Sequence, residues 1–104
     1  MLDGDALRQG LCKNLGFWVE DRRENIRRAG EVAHMLVDSG VLTLAALITP
    51  FEEDRTALRN LFQEGRYLEM FCNSSLEVCE QRDTKGLYKK ARSGDLDDRY
   101  WLPL

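Results

Sequence analysis

An apolar run from Val41 to Ile48, with only Thr43 inside it, most constrains the fold of this chain. A run of this length without polar alternation is typical of a strand buried on both faces of a parallel sheet. A helical pattern precedes the run: Asp21 is predicted to cap the helix start, and Gly40 lies where a left-handed residue would end the helix. The sequence therefore predicts a helix followed directly by a buried parallel strand.

Three further elements are predicted after this strand. Residues 51–62 are predicted to form a second helix, residues 67–72 a second strand, and Ser75 the cap of a third helix ending near Arg82. The inward-facing positions of these two helices are predicted to be Ala57, Leu58, Leu61, Phe62, Leu76, Val78 and Cys79. Helices that alternate with strands through short connections are typical of right-handed βαβ crossovers. The predicted fold class is therefore α/β, a three-layer domain with a parallel sheet.

Length and charge exclude several classes of protein. The 104 residues suffice for one domain, whereas a nucleotide-binding α/β domain usually needs about 150 residues or more to complete its sheet. The net charge of -3 argues against a nucleic-acid partner, although 11 of the 15 basic residues are Arg, whose planar fork suits phosphate, sulfate and carboxylate oxygens. No targeting signal opens the chain and no apolar run is long enough for a membrane span. We therefore expect a cytoplasmic protein with no membrane partner.

Cysteine and histidine usage gives no metal pattern. Cys12, Cys72 and Cys79 are an odd number at unrelated spacings, and His34 is the single histidine. We expect three reduced thiols.

Three polar segments do not fit a simple scaffold. The opening Leu2-Asp-Gly-Asp5 places two acids around a glycine and is predicted to be the carboxyl end of a strand, where open α/β sheets bind ligands. The stretch from Asp21 to Arg28 brings four Arg and an Asn to the start of a helix, which attracts anions. The stretch from Lys85 to Arg92 carries four cations and could cover a polyphosphate as a mobile lid.

Each segment also has a structural interpretation. The two acids could form a cap and a solvated turn. The Arg-rich helix start could be a solvated face paired with Glu20, Glu24 and Glu31. The Lys-rich strip could be ordinary surface charge. Taken singly, none of the segments decides between the two interpretations.

Taken together and in order, the segments resemble the adenylylsulfate kinase family, whose members phosphorylate the 3′-hydroxyl of adenosine 5′-phosphosulfate (adenylylsulfate) to give PAPS. The resemblance runs from Leu2 to about Gly94. The matching stretches are LDGD with Arg8, GLCKNLGF ending at Phe17, DRRENIRR from Asp21, GEVA from Gly30, ITP from Ile48, RD at Arg82, and KGLYKKAR from Lys85.

The resemblance implies a role for each matching residue. Asp5 would lie beside Mg²⁺ and the acceptor hydroxyl and would be the catalytic carboxylate. The substrate-binding set would comprise Arg8, Phe17 against the adenine, Arg22, Asn25, Ile48 and Thr49. The lid over the nucleotides would contain Lys85, Lys89, Lys90 and Arg92. The co-substrate would be ATP.

Several positions depart from the family pattern. Ala6 replaces an Asn, Trp18 a small polar residue, Thr49 a Ser that keeps its hydroxyl, and Thr84 a Pro. No Gly-Lys dipeptide occurs in the sequence, so the Walker A motif of the ATP site is not contained in it.

The last ten residues depart most. The tail 95–104 does not continue the pattern; Tyr100 or Trp101 could supply a substitute aromatic ring, or the tail could simply be exposed.

The expected domain is thus a P-loop kinase-like α/β domain over residues 1–94, incomplete because the first strand and P-loop are absent, followed by a divergent tail. The first functional hypothesis is an adenylylsulfate kinase of sulfate assimilation, with little turnover from this chain alone. The second is a non-catalytic remnant or binding module that retains the adenylylsulfate pocket. A homodimer, or a sulfurylase partner or fusion, stays open.

Overall fold

The computed structural model describes residues 1–83, 86 and 89. The chain divides into two compact units, Met1–Tyr67 and a second that begins at Leu68. The elements, in chain order, are β1 Leu2–Asp3, α1 Gly4–Gln9, α2 Val19–Asp38, β2 Ala45–Ala46, α3 Glu52–Asn60 and α4 Leu76–Gln81. The described residues contain no helix long and apolar enough to cross a membrane.

Strands β1 and β2 form a two-stranded parallel sheet. Leu2 is paired with Ala45 and Asp3 with Ala46, and the Leu2 N–H also donates to the Leu44 carbonyl at 2.6 Å. Because the strands are parallel, α1 and the loop after β2 leave from the same edge of the sheet. Gly4 marks this edge, since a Cβ built there would lie 3.7 Å from the Ala46 carbonyl oxygen. The predicted α/β class with a parallel sheet is confirmed, as is the predicted end of a strand at Asp3.

Helix α2 is the longest element and differs from its prediction at the start. It begins at Val19, so Asp21 lies in the first turn and is not the cap; the cap position is Trp18, which makes no side-chain capping bond. Its end is as predicted, because the helix stops at Asp38 and Gly40 follows with a positive φ of 86°. A glycine adopts this left-handed conformation without the steric cost that a side chain would add.

A small apolar cluster holds α1, the loop after it and α2 together. Leu7, Cys12 and Ala29 are buried, and Leu15 and Leu47 pack against them. The spacing of Leu7 from Cys12 is fixed by backbone as well, since the Cys12 N–H donates to the Leu7 carbonyl at 2.7 Å. This cluster fixes the loop against the inner face of α2.

Helix α3 packs on α2 at Gly30. A Cβ on this glycine would lie 2.5 Å from Cδ2 of Leu58 and 3.0 Å from Cδ1 of Leu61, so the absence of a side chain permits the close approach. Leu58 and Leu61 are half-buried, as predicted, whereas Ala57 is exposed. Phe62 is also half-buried and contacts His34 edge-on, with ring centres 5.6 Å apart.

Both strand predictions were wrong: the first strand is much shorter than predicted, and the second does not form. Of the run from Val41 to Ile48, only Ala45 and Ala46 form a strand, and both are exposed rather than buried on two faces. The reason is that a strand needs a neighbour, and β1 offers pairing partners only at Leu2 and Asp3. Residues 67–72 form no strand, and Phe71 is 86% exposed.

Helix α4 begins where the sequence predicted. The Ser75 hydroxyl accepts from the Val78 N–H at 3.2 Å, which confirms the predicted cap. Val78 and Cys79 are half-buried, but Leu76 is exposed, contrary to the prediction. A helix of six residues buries only a short part of its surface, and here that part begins at Val78.

Candidate functional site

Three predicted site residues meet on one aromatic ring. Arg8 lies in the last turn of α1, Phe17 in the loop between α1 and α2, and Arg22 in the first turns of α2. The guanidinium carbons of Arg8 and Arg22 lie 4.2 Å and 5.5 Å from the centre of the Phe17 ring. Cations at such distances interact favourably with an aromatic face. Two helix ends thus present two fixed positive charges beside one ring.

Both guanidinium groups also hold the loop that carries this ring. Nη1 of Arg8 donates to the Gly16 carbonyl at 2.8 Å and to the Leu15 carbonyl at 3.5 Å. Nε of Arg22 donates to the Phe17 carbonyl at 2.6 Å. A guanidinium group carries five N–H donors in a planar fork. The two arginines therefore shape the loop and supply its positive charge.

Arg8 and Arg22 are both cations, and their positive charges repel each other. Burial, followed by the positive charge of Arg8, lowers the pKa of Arg22 from its ordinary value. Arginine stays protonated through the physiological range, so the lowered pKa reports an unfavourable environment for a cation. An anion bound between the two guanidinium groups would relieve the repulsion between them.

Asn25 adds a buried acceptor one turn further along α2. It is 7% exposed, and its Oδ1 has no hydrogen-bond partner among the described residues. A buried amide oxygen without a partner costs about 1–3 kcal/mol. At three residues beyond Arg22 it lies on the same face of the helix. A ligand that brings a hydroxyl or amino donor would satisfy this oxygen.

The remaining predicted residues of the first unit lie at the carboxyl edge of the sheet. Asp5 is exposed in the first turn of α1, and its backbone N–H donates to the Asp3 carboxylate at 3.4 Å. Ile48 and Thr49 follow β2; Ile48 is 75% exposed, and the Thr49 carbonyl accepts from Nη1 of Arg55 at 2.8 Å. The parallel strand register leads both segments out at this edge.

The hydrogen bonds described for these two groups run to different partners. The Thr49 carbonyl accepts from Arg55, whereas Arg8 and Arg22 donate to the loop between α1 and α2. The site as described has two parts, an arginine–aromatic group with Asn25 beside it and an acidic edge.

A metal ion at the acidic edge would depend on one or two carboxylates. Among residues 1–83, no three side chains of metal-binding type converge. Mg²⁺ is commonly held through one or two carboxylates together with substrate phosphates and waters. The exposed carboxylate of Asp5 fits that donor chemistry.

Of the predicted lid residues, the structure describes only Lys89. Its backbone N–H donates to the Asp83 carboxylate at 3.0 Å, and the Gly86 N–H donates to the Asp83 carbonyl at 3.2 Å. Asp83 thus organises the backbone at the start of this segment. Lys85, Lys90, Arg92 and the tail 95–104 lie outside the described residues.

The structural interpretation of the Arg-rich helix start holds for its outer face. Arg27 donates to Glu24 through Nε and Nη2, at 2.5 and 2.9 Å, and Arg28 donates to Glu24 at 3.1 Å. The hydrogen bonds from Arg27, with a smaller contribution from Arg28, lower the pKa of Glu24 to about 2. Nε of Arg23 lies 3.6 Å from Oδ1 of Asp54 on α3. The four-arginine motif is thus divided, with Arg22 on the ring and its neighbours in ion pairs.

Sequence reasoning missed two residues that hold the site. The Asp21 carboxylate accepts from the Gly16 N–H at 2.9 Å. Arg28 donates to the Leu11 carbonyl at 3.1 Å and to Oδ1 of Asn14 at 2.9 Å. Both fasten the loop between α1 and α2, and no spacing rule relates loop residues to a helix in this way. The one available signal was the number of polar side chains at the start of α2.

Comparisons with known proteins identify the family of this chain. The sequence model of the family described as Adenylylsulphate kinase matches residues 1–99. The adenylyl-sulfate kinase of Vibrio vulnificus is 53% identical over 110 residues, covering 100% of this chain and 53% of the relative. That of Acaryochloris marina is 56% identical over 96 residues, covering 92% of this chain and 47% of the relative. The chain spans about half the length of the curated relatives it matches.

A solved structure extends the likeness to three dimensions. The Mycobacterium tuberculosis APS kinase CysC, in complex with AMPPNP and APS, superposes with a TM-score of 0.87 at 45% identity. The match covers 93% of this chain and 57% of that chain. Its fold is the P-loop kinase fold that the resemblance implied. This chain belongs to the adenylylsulphate kinase family.

Proposed function

We propose that this chain provides the acceptor-nucleotide site of an adenylylsulfate kinase. The reaction is transfer of the ATP γ-phosphate to the 3′-hydroxyl of adenosine 5′-phosphosulfate, giving PAPS for sulfate assimilation in the cytoplasm. The observation that carries the proposal is the convergence of Arg8 and Arg22 on Phe17. The ligands named for the Mycobacterium tuberculosis structure, AMPPNP and APS, belong to the same two classes of nucleotide.

The ligand chemistry matches the residues in three respects. The phosphosulfate group is anionic, and the two guanidinium groups supply fixed donors and positive charge. Phe17 supplies an aromatic edge or face for the adenine, with the Arg8 guanidinium plane against it. The buried Asn25 Oδ1 supplies an acceptor for a hydroxyl or amino group of the nucleoside.

Asp5 is the proposed catalytic carboxylate. Phosphoryl transfer depends on alignment and charge neutralisation more than on covalent chemistry by the protein. A carboxylate beside the acceptor hydroxyl orients it and accepts its proton as the new O–P bond forms and the bond between the γ-phosphorus and the departing ADP breaks. Mg²⁺, when bound near Asp5 and the phosphates, supplies charge neutralisation for the transferred group. Lys89, with Lys85, Lys90 and Arg92, is proposed to contribute cations over the polyphosphate.

A second candidate is a binding module that keeps the adenylylsulfate pocket without turnover. The observation behind it is that the residues brought together in the structure, Arg8, Phe17 and Arg22, are those proposed for the acceptor nucleotide. ATP phosphates and Mg²⁺ are held in P-loop kinases by a different element, the Walker A motif. The two candidates share the acceptor pocket and differ in turnover.

Calorimetry with adenylylsulfate tests what the candidates share. We expect the full chain to bind, and Arg22→Ala to weaken binding about tenfold to a hundredfold, since hydrogen bonds to charged groups contribute about 1.5–3 kcal/mol. Arg27→Ala is the matched control, because Arg27 lies on the same helix and contacts Glu24 rather than the ring. Equal affinities for wild type and Arg22→Ala would refute the proposed pocket.

A coupled assay with ATP, Mg²⁺ and adenylylsulfate then separates the two candidates. PAPS formation by the isolated chain, lost on Asp5→Asn, supports the kinase. Tight adenylylsulfate binding without PAPS formation supports the binding module.

A further inference from the structure

We propose that Asp21 is a positioning residue for the adenylylsulfate site and acts through the backbone of Gly16. The inference rests on the proposed function and goes beyond it, because the hydrogen bond of Asp21 runs to the backbone of Gly16 and not to Arg8, Phe17 or Arg22. Its Oδ2 accepts from the Gly16 N–H at 2.9 Å, five residues back and in a partly buried setting.

Gly16 is the residue through which this contact reaches the ring. Its N–H is held by Asp21, and its carbonyl is held by Arg8 at 2.8 Å. The next carbonyl, that of Phe17, accepts from Arg22. Three polar contacts therefore hold three consecutive peptide groups, from the one that precedes Gly16 to the one that follows Phe17, and with them the backbone that carries the Phe17 ring.

The packing at Gly16 is close. A Cβ built on this glycine would lie 3.1 Å from Oδ2 of Asp21, tighter than most such contacts. The Asp21 carboxylate therefore lies directly against the backbone of Gly16. Without this carboxylate the Gly16 N–H would lose its acceptor, whereas the Gly16 carbonyl would still accept from Arg8.

The alternative role for Asp21 is electrostatic. An acid in the first turn of a helix interacts favourably with the helix dipole whatever else it contacts. Asn retains a side-chain oxygen that accepts from Gly16 but removes the charge, whereas Ala removes both. The pair Asp21→Asn and Asp21→Ala therefore separates an acceptor role from a charge role.

The test is calorimetric titration of the full chain with adenylylsulfate, together with thermal unfolding. We expect Asp21→Ala to weaken binding about tenfold or more, equivalent to about 1.4 kcal/mol. We expect Asp21→Asn to stay within about threefold of wild type, with a smaller fall in Tm than Asp21→Ala, because Asn loses only the charge whereas Ala also loses the hydrogen bond to Gly16. Glu20→Ala, which removes the adjacent exposed acid, is the control and should bind as wild type does.

Three results would overturn the inference. The first is wild-type affinity in Asp21→Ala, and the second is an equal loss of affinity in Asp21→Asn and Asp21→Ala. The third is tighter binding in both variants, which would assign Asp21 a purely electrostatic, unfavourable effect on an anionic ligand.

Amide hydrogen exchange at Gly16 tests the role of Asp21 independently of the proposed function. Exchange should accelerate in Asp21→Ala and stay slow in Asp21→Asn whether or not a ligand is added. If wild type fails to bind adenylylsulfate, the proposed function fails and the ligand role of Asp21 with it. If wild type binds and Gly16 exchanges equally in all variants, the positioning role alone fails.

Discussion

The guanidinium carbon of Arg8 lies 4.2 Å from the centre of the Phe17 ring. Arg8 belongs to the last turn of α1, and Phe17 to the loop that leads into α2. The contact therefore joins a helix that leaves the sheet edge to the loop that the second helix organises. It also places a planar cation against a planar apolar surface, the combination that an anionic nucleotide with an aromatic base requires.

Replacement of the ring should reduce nucleotide affinity. We expect Phe17→Leu to weaken adenylylsulfate binding about threefold to tenfold, because an aromatic contact contributes about 0.5–1.5 kcal/mol beyond its area. Calorimetry measures the change. Phe62→Leu alters another half-buried ring, one that contacts His34, and should leave affinity unchanged. Equal losses in the two variants would indicate general destabilisation instead.

Loss of the Arg28 contacts should destabilise the fold. Arg28 donates to Leu11, Asn14 and Glu24, so Arg28→Ala should lower the free energy of unfolding by about 1–3 kcal/mol. Denaturant titration measures this. Arg27→Ala removes only an exposed pair with Glu24 and should lower the free energy of unfolding less than Arg28→Ala does. A larger effect of Arg27→Ala than of Arg28→Ala would contradict the assignment of Arg28 as a loop tether.

A methyl group at Gly30 should conflict with Leu58. The gain in helix propensity from Gly to Ala is about 1 kcal/mol, whereas overpacking costs about 1–3 kcal/mol, so we expect a net loss of about 1 kcal/mol in Gly30→Ala. The cost should shrink in a Leu58→Ala background, where the atom 2.5 Å from the new Cβ is absent and the Leu61 atom at 3.0 Å remains. Unfolding of the four members of this double-mutant cycle gives the coupling energy. Additive effects would show that α3 is not held against Gly30.

The ion pairs of Glu24 should give a defined acid dependence of stability. The pKa of Glu24 is lowered to about 2. The contribution of its ion pairs to the free energy of unfolding is therefore complete above the unfolded-state pKa near 4.5 and is lost as pH falls toward 2. The stability difference between wild type and Glu24→Gln should therefore be constant above about pH 5 and shrink below it. Unfolding titrations from pH 7 to 2 measure this, and added salt should reduce the difference because the pairs are accessible to ions. A difference that grows on acidification would contradict the sign.

A helix end that depends on a single residue could be predicted from the local sequence. Gly40 ends α2 because a left-handed residue is needed there, and Ser75 begins α4 because its hydroxyl meets a free backbone N–H. The strand from Val41 to Ile48 was overestimated because strand length depends on a partner distant in sequence, and the partner pairs at two residues. Hydropathy carries no information about that partner.

The sequence supplied candidate residues for the site but not the contacts between them. The resemblance to the family supplied Arg8, Phe17 and Arg22, and the structure brings them together. Asp21 was interpreted as a cap because acids at helix starts usually serve there, yet it accepts from Gly16 in the preceding loop. Which arginine of the motif would lie inward could not be decided without the position of that loop.

The division of arginines on α2 has a practical consequence for handling this protein. Arg22 and Arg27 are five residues apart, a rotation of about 140° around the helix axis at about 100° per residue. One side of the same helix thus meets Phe17, and the other presents Glu24 and Arg27 to solvent. A fluorophore or surface anchor attached at position 27 would report on or immobilise the protein without entering the pocket. A single inserted residue between the two positions would rotate Arg27 by about 100° and rearrange the whole charge pattern.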